Sequence, residues 1–418
     1  MMRIILFAFL LVIICSCSRK SAENKSDSII KIDLLSEPVS TVEKLSEFAD
    51  NIEYIPLQTV KGSLLSGNNA KIVKKDKRIY IENSILYNNE ILCFTTEGKF
   101  LYKIDKGGRG PEEYTNIADF DVSSDNKFMI ILSSLIHKLF VYDISDTGFI
   151  FRRSIALKDP APYRVCLVPK TNNAFLAIPP WRGTEPTLSL LINTAGDTIY
   201  YKPNTYKYQM VGKMNFAANN EMLVYSVGET VCFKEEFSDT IFYIDSNVSS
   251  FKPRIILDSH GTLTTPAIRG GSEPVRNNIT YIPNIFETSR YVFCYYGTMD
   301  NRDKIIYDKK TKIKYNLTIE KEYKQANLNA QPYLEYSTKL EDDLSGGPDF
   351  EIDFLGTFCT GGNLFSFVEA IELKKYADGP DFKNARVIDP KKKNELKKLA
   401  DSLCETDNPV LIIVTPKE

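Results

Sequence analysis

The chain has 418 residues, with 52 basic side chains against 54 acidic, so its net charge gives no long-range pull toward nucleic acid or anionic lipid. Hydrophobic residues make up 43%, which excludes a disordered chain. A single core stops growing near roughly 250–300 residues, so a chain of this length divides into domains or repeats a small unit.

In chain order, Met1-Met2-Arg3 is a short basic start, and Ile4 to Ile14 is an unbroken apolar run. Such a run spans about 16 Å as a helix, well short of a bilayer core of about 30 Å. That is the shape of a secretory signal peptide (1–16) and not of a membrane span. It ends at Ile14-Cys15-Ser16-Cys17, which resembles the bacterial lipobox, where a small residue precedes a cysteine that is acylated. The resemblance implies lipidation at Cys17, with the cut after Ser16; Cys15 follows a bulky isoleucine and fits less well. Two or three acyl chains, at about 0.8 kcal/mol per buried CH₂, hold a protein on a membrane. Residues 17–40 read as a polar tether. It lacks the acidic cluster that, in such lipoproteins, often directs export to the outer surface. The expected address is the bacterial cell envelope, lipid-anchored at the outer membrane and facing the periplasm, with surface exposure left open. Six further cysteines are far apart and form no C-x-x-C; scattered buried thiols are expected, not disulfides.

From Thr41 a short helix is expected, capped by Thr41, with Val42, Leu45 and Phe48 on one face. Strand-like runs then come in groups of four, divided by turns such as Thr96-Glu97-Gly98-Lys99 and Ala195-Gly196-Asp197. The groups begin near 70, 119, 163 and 211, a period of roughly 45–50 residues, which is that of propeller blades. The second half repeats less regularly, with long insertions at 259–284 and 318–349. Asp389-Pro390 reads as the cap and first residue of a helix whose stripe is Leu396, Leu399, Ala400, Leu403 and Cys404. The sixth group has two strands of its own, Phe350 to Phe354 and Asn363 to Val368. Val410 to Thr415 can supply the third and Ile52 to Leu57 the fourth, which closes the ring and removes its edge. The expected fold is an all-β, six-bladed β-propeller over 41–418 with a short C-terminal helix.

Phe94-Thr95-Thr96-Glu97-Gly98-Lys99-Phe100-Leu101 and Gly107-Gly108-Arg109-Gly110-Pro111-Glu112-Glu113-Tyr114 resemble the first-blade signature of the six-bladed β-propeller lipoproteins common in Bacteroidota, relatives of the NHL-repeat propellers. Ile52 to Leu57, Ser238 to Phe242 and Asn408 to Leu411 are similar to other recurring patches of that family. The resemblance implies the fold and the address, and it carries no established reaction. Glu112 departs from the glycine usual after the proline, which predicts slight strain in that turn.

No H-E-x-x-H, G-x-S-x-G, P-loop or dinucleotide fingerprint occurs, and no cofactor or metal is expected. His137, which opens an apolar strand, reads as structural, and His260, in a polar insertion, has no more support as a ligand. Glu341-Asp342-Asp343 with Asp349, Glu351 and Asp353 could hold Ca²⁺, but its spacing fits no EF-hand and a solvated loop is the plainer reading. Gly107 to Gly110 reads as a tight link between blades, with Glu113 and Tyr114 tying it down. Trp181, in Pro179-Pro180-Trp181-Arg182-Gly183, lies in a loop where an aromatic can mark sugar binding. In a four-stranded blade, the link to the next blade and the second-to-third loop emerge at the same end. Arg109, Tyr114, Trp181 and Arg182 therefore gather at one end, together with both long insertions and Arg269 and Arg276. They are the candidate ligand-binding residues, suited to a carboxylated glycan unless Glu112, Glu113 and Glu185 neutralise the arginines. Two functions remain open: a non-catalytic binding or scaffold module for a glycan, peptide or envelope protein, and an enzyme (glycan lyase, hydrolase or lactonase) working at the funnel.

Overall fold

A computed structural model describes residues 29–65, 71–85, 88–158, 160–211, 221–244, 250–298, 300–324, 333–352 and 361–418. Cys17 and Cys359 lie outside them. Short runs of β-branched and aromatic residues, cut by Gly, Asn and Asp turns, fold into antiparallel strands that assemble as a six-bladed β-propeller with four-stranded blades. The inner strands of blades 1 to 5 are Ile72–Lys75, Asp119–Val122, Arg164–Leu167, Met222–Val227 and Tyr281–Glu287. Neighbouring inner strands lie side by side around the ring.

The hydrophobic core is a set of layers between blades. Alternate residues of one strand face opposite neighbours: Met129 and Ile131 pack toward blade 1, Phe128 and Ile130 toward blade 3. Six clusters result, one for each pair of neighbouring blades, so the layers themselves count the blades.

Closure of the ring follows the expected pairing. Val410–Pro416 lies between Leu364–Val368 and Ala49–Pro56, both antiparallel, with Leu411 opposite Ile55 and Val414 opposite Ile52. Of the expected inner strand of this blade, Phe350–Glu351 is described, paired with Lys339–Leu340.

The N-terminal segment extends further into the fold than its composition suggests. Ile30–Asp33, assigned above to the tether, runs parallel to Lys252–Asp258 as a fifth strand on blade 4. Thr41–Val42 does the same on Ile313–Leu317 of blade 5. The expected helix at Thr41 is therefore a short strand followed by a 3₁₀ turn, Leu45–Glu47. Val42, Leu45 and Phe48 are buried together as their spacing required, because a strand and a tight turn bring them to one side as a helix would. From blade 4 to blade 6 the segment forms a strap. Lys314 fastens its middle by donating to the carbonyls of Asp33 (2.9 Å), Leu34 (3.2 Å) and Ser36, and the Tyr296 hydroxyl donates to Leu34 O at 2.6 Å.

Inner strands of adjacent blades do not pair, so their edge amides need other acceptors. The Asp119 and Asp121 carboxylates accept from Val165 N and Leu167 N of the next blade, each at 2.8 Å. Lys71 donates to Asp119 at 2.5 Å. Burial opposes its charge, but Asp119 and Asp121 outweigh it and hold the ammonium above its usual range. The charges that line the ring here thus do structural work.

Three helices enter between the second and third strands of blade 6: α2 (Ala370–Asp378), α3 (Pro380–Asn384) and α4 (Pro390–Ser402), preceded in the chain by α1 (Pro266–Gly270) in the 259–284 insertion. Asp389 caps α4 as predicted, accepting from Lys391 N at 2.9 Å. Leu396, Ala400 and Leu403 are buried against Leu373 and Val410, whereas Cys404 lies past the helix end and is exposed. The 318–349 insertion carries its own hairpin, Glu320–Lys324 with Tyr333–Ser337. Cys93, Cys166, Cys232 and Cys294 are buried thiols; burial raises all four, Cys93, Cys232 and Cys294 to about 12.

Candidate functional site: the link end of blades 3 to 5

Strand directions place the blade-to-blade links and the second-to-third loops at one end of the ring, here called the link end. The link from blade 1 to blade 2 is tied down tightly. Tyr114 N donates to Lys106 O and Gly108 N to Tyr114 O, both at 3.0 Å. Glu113 accepts from Gly110 N at 2.7 Å, and a Cβ on Gly108 would sit 2.0 Å from that carboxylate, so a larger residue there would push the Glu113 side chain aside. Glu112 keeps an ordinary backbone φ, so the expected strain is absent. Tyr114 is fully buried, with its hydroxyl donating to Ile104 O at 3.1 Å and its ring edge-on to Phe140. It has no open face on which a ligand could stack, and it acts as the brace of the link. Arg109 is exposed.

The Trp181 loop is built differently. Gly183 turns it in the left-handed region (φ +73°), and Glu185, itself buried, accepts from Arg182 N at 2.7 Å. Trp181 is half-buried and meets Tyr163 edge-on at 5.3 Å; Arg182 is exposed. Tyr208 passes beneath. Its amide donates to Gly183 O at 3.0 Å and its hydroxyl to Pro180 O. A Cβ on Gly270 of α1 would meet the same ring at 3.1 Å, so Tyr208 joins the Trp181 loop to α1.

Helix α1 delivers Arg269. Thr265 caps it, accepting from Ile268 N at 3.2 Å, with Pro266 as its first residue. The Arg269 guanidinium pairs with Glu221, at the start of the blade 4 inner strand, and lies 3.8 Å from Glu236. This arginine, expected to be available to an acidic ligand, is thus occupied by acids, though not those named from the sequence. Arg276 is exposed. Beside the pair a cavity of about 180 Å³ opens between blades 4 and 5, lined by Glu221, Leu223, Lys234, Glu236, Leu263, Thr264, Tyr281, Ile282 and Pro283.

Two groups here are displaced from their ordinary chemistry. Burial, then the nearby Glu221 carboxylate, push the Glu236 carboxyl up to about 7, against the pull of Arg269 and Lys234. Burial draws Lys234 down to about 8. Its ammonium donates to the carbonyls of Glu235 (2.9 Å) and Glu236 (3.4 Å). Buried polar atoms of this region without a hydrogen-bond partner among the described residues include Glu236 Oε2, Glu185 Oε2 and Trp181 Nε1.

The structure thus brings Trp181, Arg182 and Arg269 into one neighbourhood, while Arg109 and Tyr114 sit on a separate link. Sequence reasoning missed Glu221, Lys234, Glu236 and Tyr281. Lys234-Glu235-Glu236, charged residues closing the apolar strand Val231-Cys232-Phe233, was the available signal. In the acidic run at 341–343 two carboxylates are buried and held by donors of this chain, unlike a solvated loop, while Asp353 of the expected cluster lies outside the described residues. Asp342 is buried and accepts from Tyr54 (3.0 Å) and three backbone amides, and Asp343 accepts from Ser46 Oγ at 2.6 Å. No group of three metal-ligating side chains occurs among the described residues. His137 takes the left-handed position ending a 3₁₀ turn, and His260 meets Asp33 at 3.1 Å. A larger groove of about 730 Å³ lies along α4, lined by Glu53, Lys74, Glu97, Lys392 and Glu395. None of its polar groups is buried without a partner.

A six-bladed propeller with a buried charge cluster at its link end is the class the fold and geometry define. The chain belongs to the family described as a domain of unknown function, DUF4934, whose family model matches residues 29–415. Among solved structures it is similar to a protein of Bacteroides fragilis NCTC 9343 described as a candidate exported protein: 18% identity, 94% of this chain, all of that one, TM-score 0.60. It is also similar, at 12% identity and TM-score 0.43, to a DUF4221 family member from Bacteroides vulgatus, over 88% of this chain and 97% of that one. The first likeness supports the fold alone. No curated protein matches.

Proposed function

We propose that the protein is an envelope lipoprotein, anchored through Cys17, whose propeller is a non-catalytic binding module presenting its link end to a glycan or peptide. The observation that carries the binding reading is the cavity between blades 4 and 5, with a buried carboxyl oxygen lacking a partner at its wall. Leaving such an atom unsatisfied costs about 1–3 kcal/mol, which a bound ligand can recover. The exported character given to the Bacteroides fragilis relative agrees with the address. The ligand class is tested by presenting glycan and peptide arrays to the full mature chain. Binding to neither array contradicts the reading. The anchor is tested by mass spectrometry of the mature N-terminus, which should begin at an acylated Cys17; an unmodified terminus removes the anchor.

One observation favours the enzyme reading: two carboxyls in different environments share the cavity, Glu236 pushed toward neutrality and Glu221 ion-paired with Arg269. Such pairs divide into acid and base. Under that reading Glu236→Gln keeps ligand binding and abolishes turnover. The absence of any product from a bound glycan leaves the binding module.

A further inference from the structure

We infer that the cavity between blades 4 and 5 takes one uncharged sugar ring, with a hydroxyl on Glu236 and its carbon face against Tyr281, Ile282 and Pro283. The inference rests on the binding reading above and names its ligand. Size comes first. Drug-sized ligands fill cavities of about 300–1,000 Å³. About 180 Å³ leaves room for one ring or one side chain.

Charge comes second. The groups facing Glu236 are Glu221 from the inner strand, Lys234 from the second strand of blade 4, Arg269 from α1, and the hydroxyls of Tyr208 and Tyr281. Arg269 is engaged with Glu221, and Lys234 with two backbone carbonyls. An anionic ligand would meet two carboxyls, and a cationic one an ammonium and a guanidinium. A neutral ligand avoids both conflicts.

Hydrogen bonding comes third. Burial and the Glu221 carboxylate push the Glu236 carboxyl up to about 7, which favours its acid form more than an exposed carboxyl would. Its unpartnered oxygen needs a donor in one state and an acceptor in the other. A hydroxyl can serve both states. An ammonium serves only the carboxylate, and a ligand carboxylate only the acid. The remaining wall (Leu223, Leu263, Ile282, Pro283) suits the C–H face of a pyranose.

Isothermal titration of the full mature chain with methyl α-D-glucopyranoside, methyl β-D-galactopyranoside and methyl α-D-mannopyranoside tests this, with glucuronate and lysine amide as charged comparisons. At least one neutral glycoside should bind, with affinity changing less than about threefold from pH 6 to 8. A ligand held through one charge state of Glu236 changes by up to about tenfold per pH unit on one side of the titration. Glu236→Gln should retain affinity within about fivefold, and Glu236→Leu should lower it more than tenfold. Should Glu236→Leu fail to fold, Tyr281→Ala, at the rim of the cavity, carries the same expectation. The inference is overturned if only a charged ligand binds, if binding follows pH steeply, if both substitutions leave affinity unchanged, or if no monosaccharide binds at about 50 mM. Array binding of a longer glycan that persists in Glu236→Leu would overturn this inference and leave the binding module standing.

Discussion

Removal of residues 408–418 takes away the strand that holds both termini in one blade. Val410, Leu411, Ile412, Ile413 and Val414 are each at most 3% exposed and pack into the layers on both sides of blade 6 as well as against the helices. Full burial of such side chains is worth about 1.5–3 kcal/mol each, so the strand contributes about 7–15 kcal/mol before its ladder bonds are counted. That matches the whole stability of an ordinary folded domain, about 5–15 kcal/mol. Ala49–Pro56 would also lose its partner and expose an edge. The truncated chain should therefore show no cooperative thermal transition by circular dichroism, and it should aggregate. A milder change, Ile412→Ala, should cost about 2–5 kcal/mol by leaving a cavity, with a cooperative but lowered melt. A truncated chain that melts where the full chain melts would refute the closure argument.

Lys314→Ala frees the strap between blades 4 and 5 and leaves the Asp33, Leu34 and Ser36 carbonyls without that donor; backbone amides of 30–36 should exchange faster while the blade cores keep their protection. Glu287 is buried against Arg254 (2.7 Å) and Lys309 (2.6 Å). Burial opposes its charge, but the two cations hold the carboxyl below its usual range. Its contribution is therefore fully present above the ordinary carboxylate pKa and is lost as pH falls through the lowered folded-state value. Glu287→Gln should destabilise the protein by about 3–5 kcal/mol at neutral pH and flatten the acid limb of the stability curve, read by urea melts from pH 3 to 7. An unchanged acid limb would mean that other carboxylates dominate acid unfolding.

The fold was legible wherever local pattern and global role agree. Four strand-like runs between residues 70 and 105 could form only a meander, and Asp389-Pro390 announced its helix by capping chemistry alone. Isolated apolar strands at both ends of the domain implied each other because an unpaired edge is costly. The strap was not legible. Ile30–Asp33 is four residues whose partner lies more than 200 residues away, and nothing local marks it as an added strand. Val42, Leu45 and Phe48 satisfied a helix and a strand-plus-turn equally. The site was legible only as an end of the ring. Topology placed Trp181 and the 259–284 insertion there, but Glu221 and Glu236, at the paired ends of one hairpin of blade 4, meet Arg269 and Tyr281 only after blades 4 and 5 close on each other. Tyr114 was read correctly as a tie and wrongly as a stacking surface, because its place in the link says nothing about its burial.

The most direct test of the account is the hydrogen-exchange footprint of a bound glycan on the full mature chain. Protection should appear in 221–223, 234–236, 263–269 and 281–283, the segments that line or flank the cavity at the link end. Protection confined to 74–78 and 95–98, at the opposite end of blade 1, would contradict it.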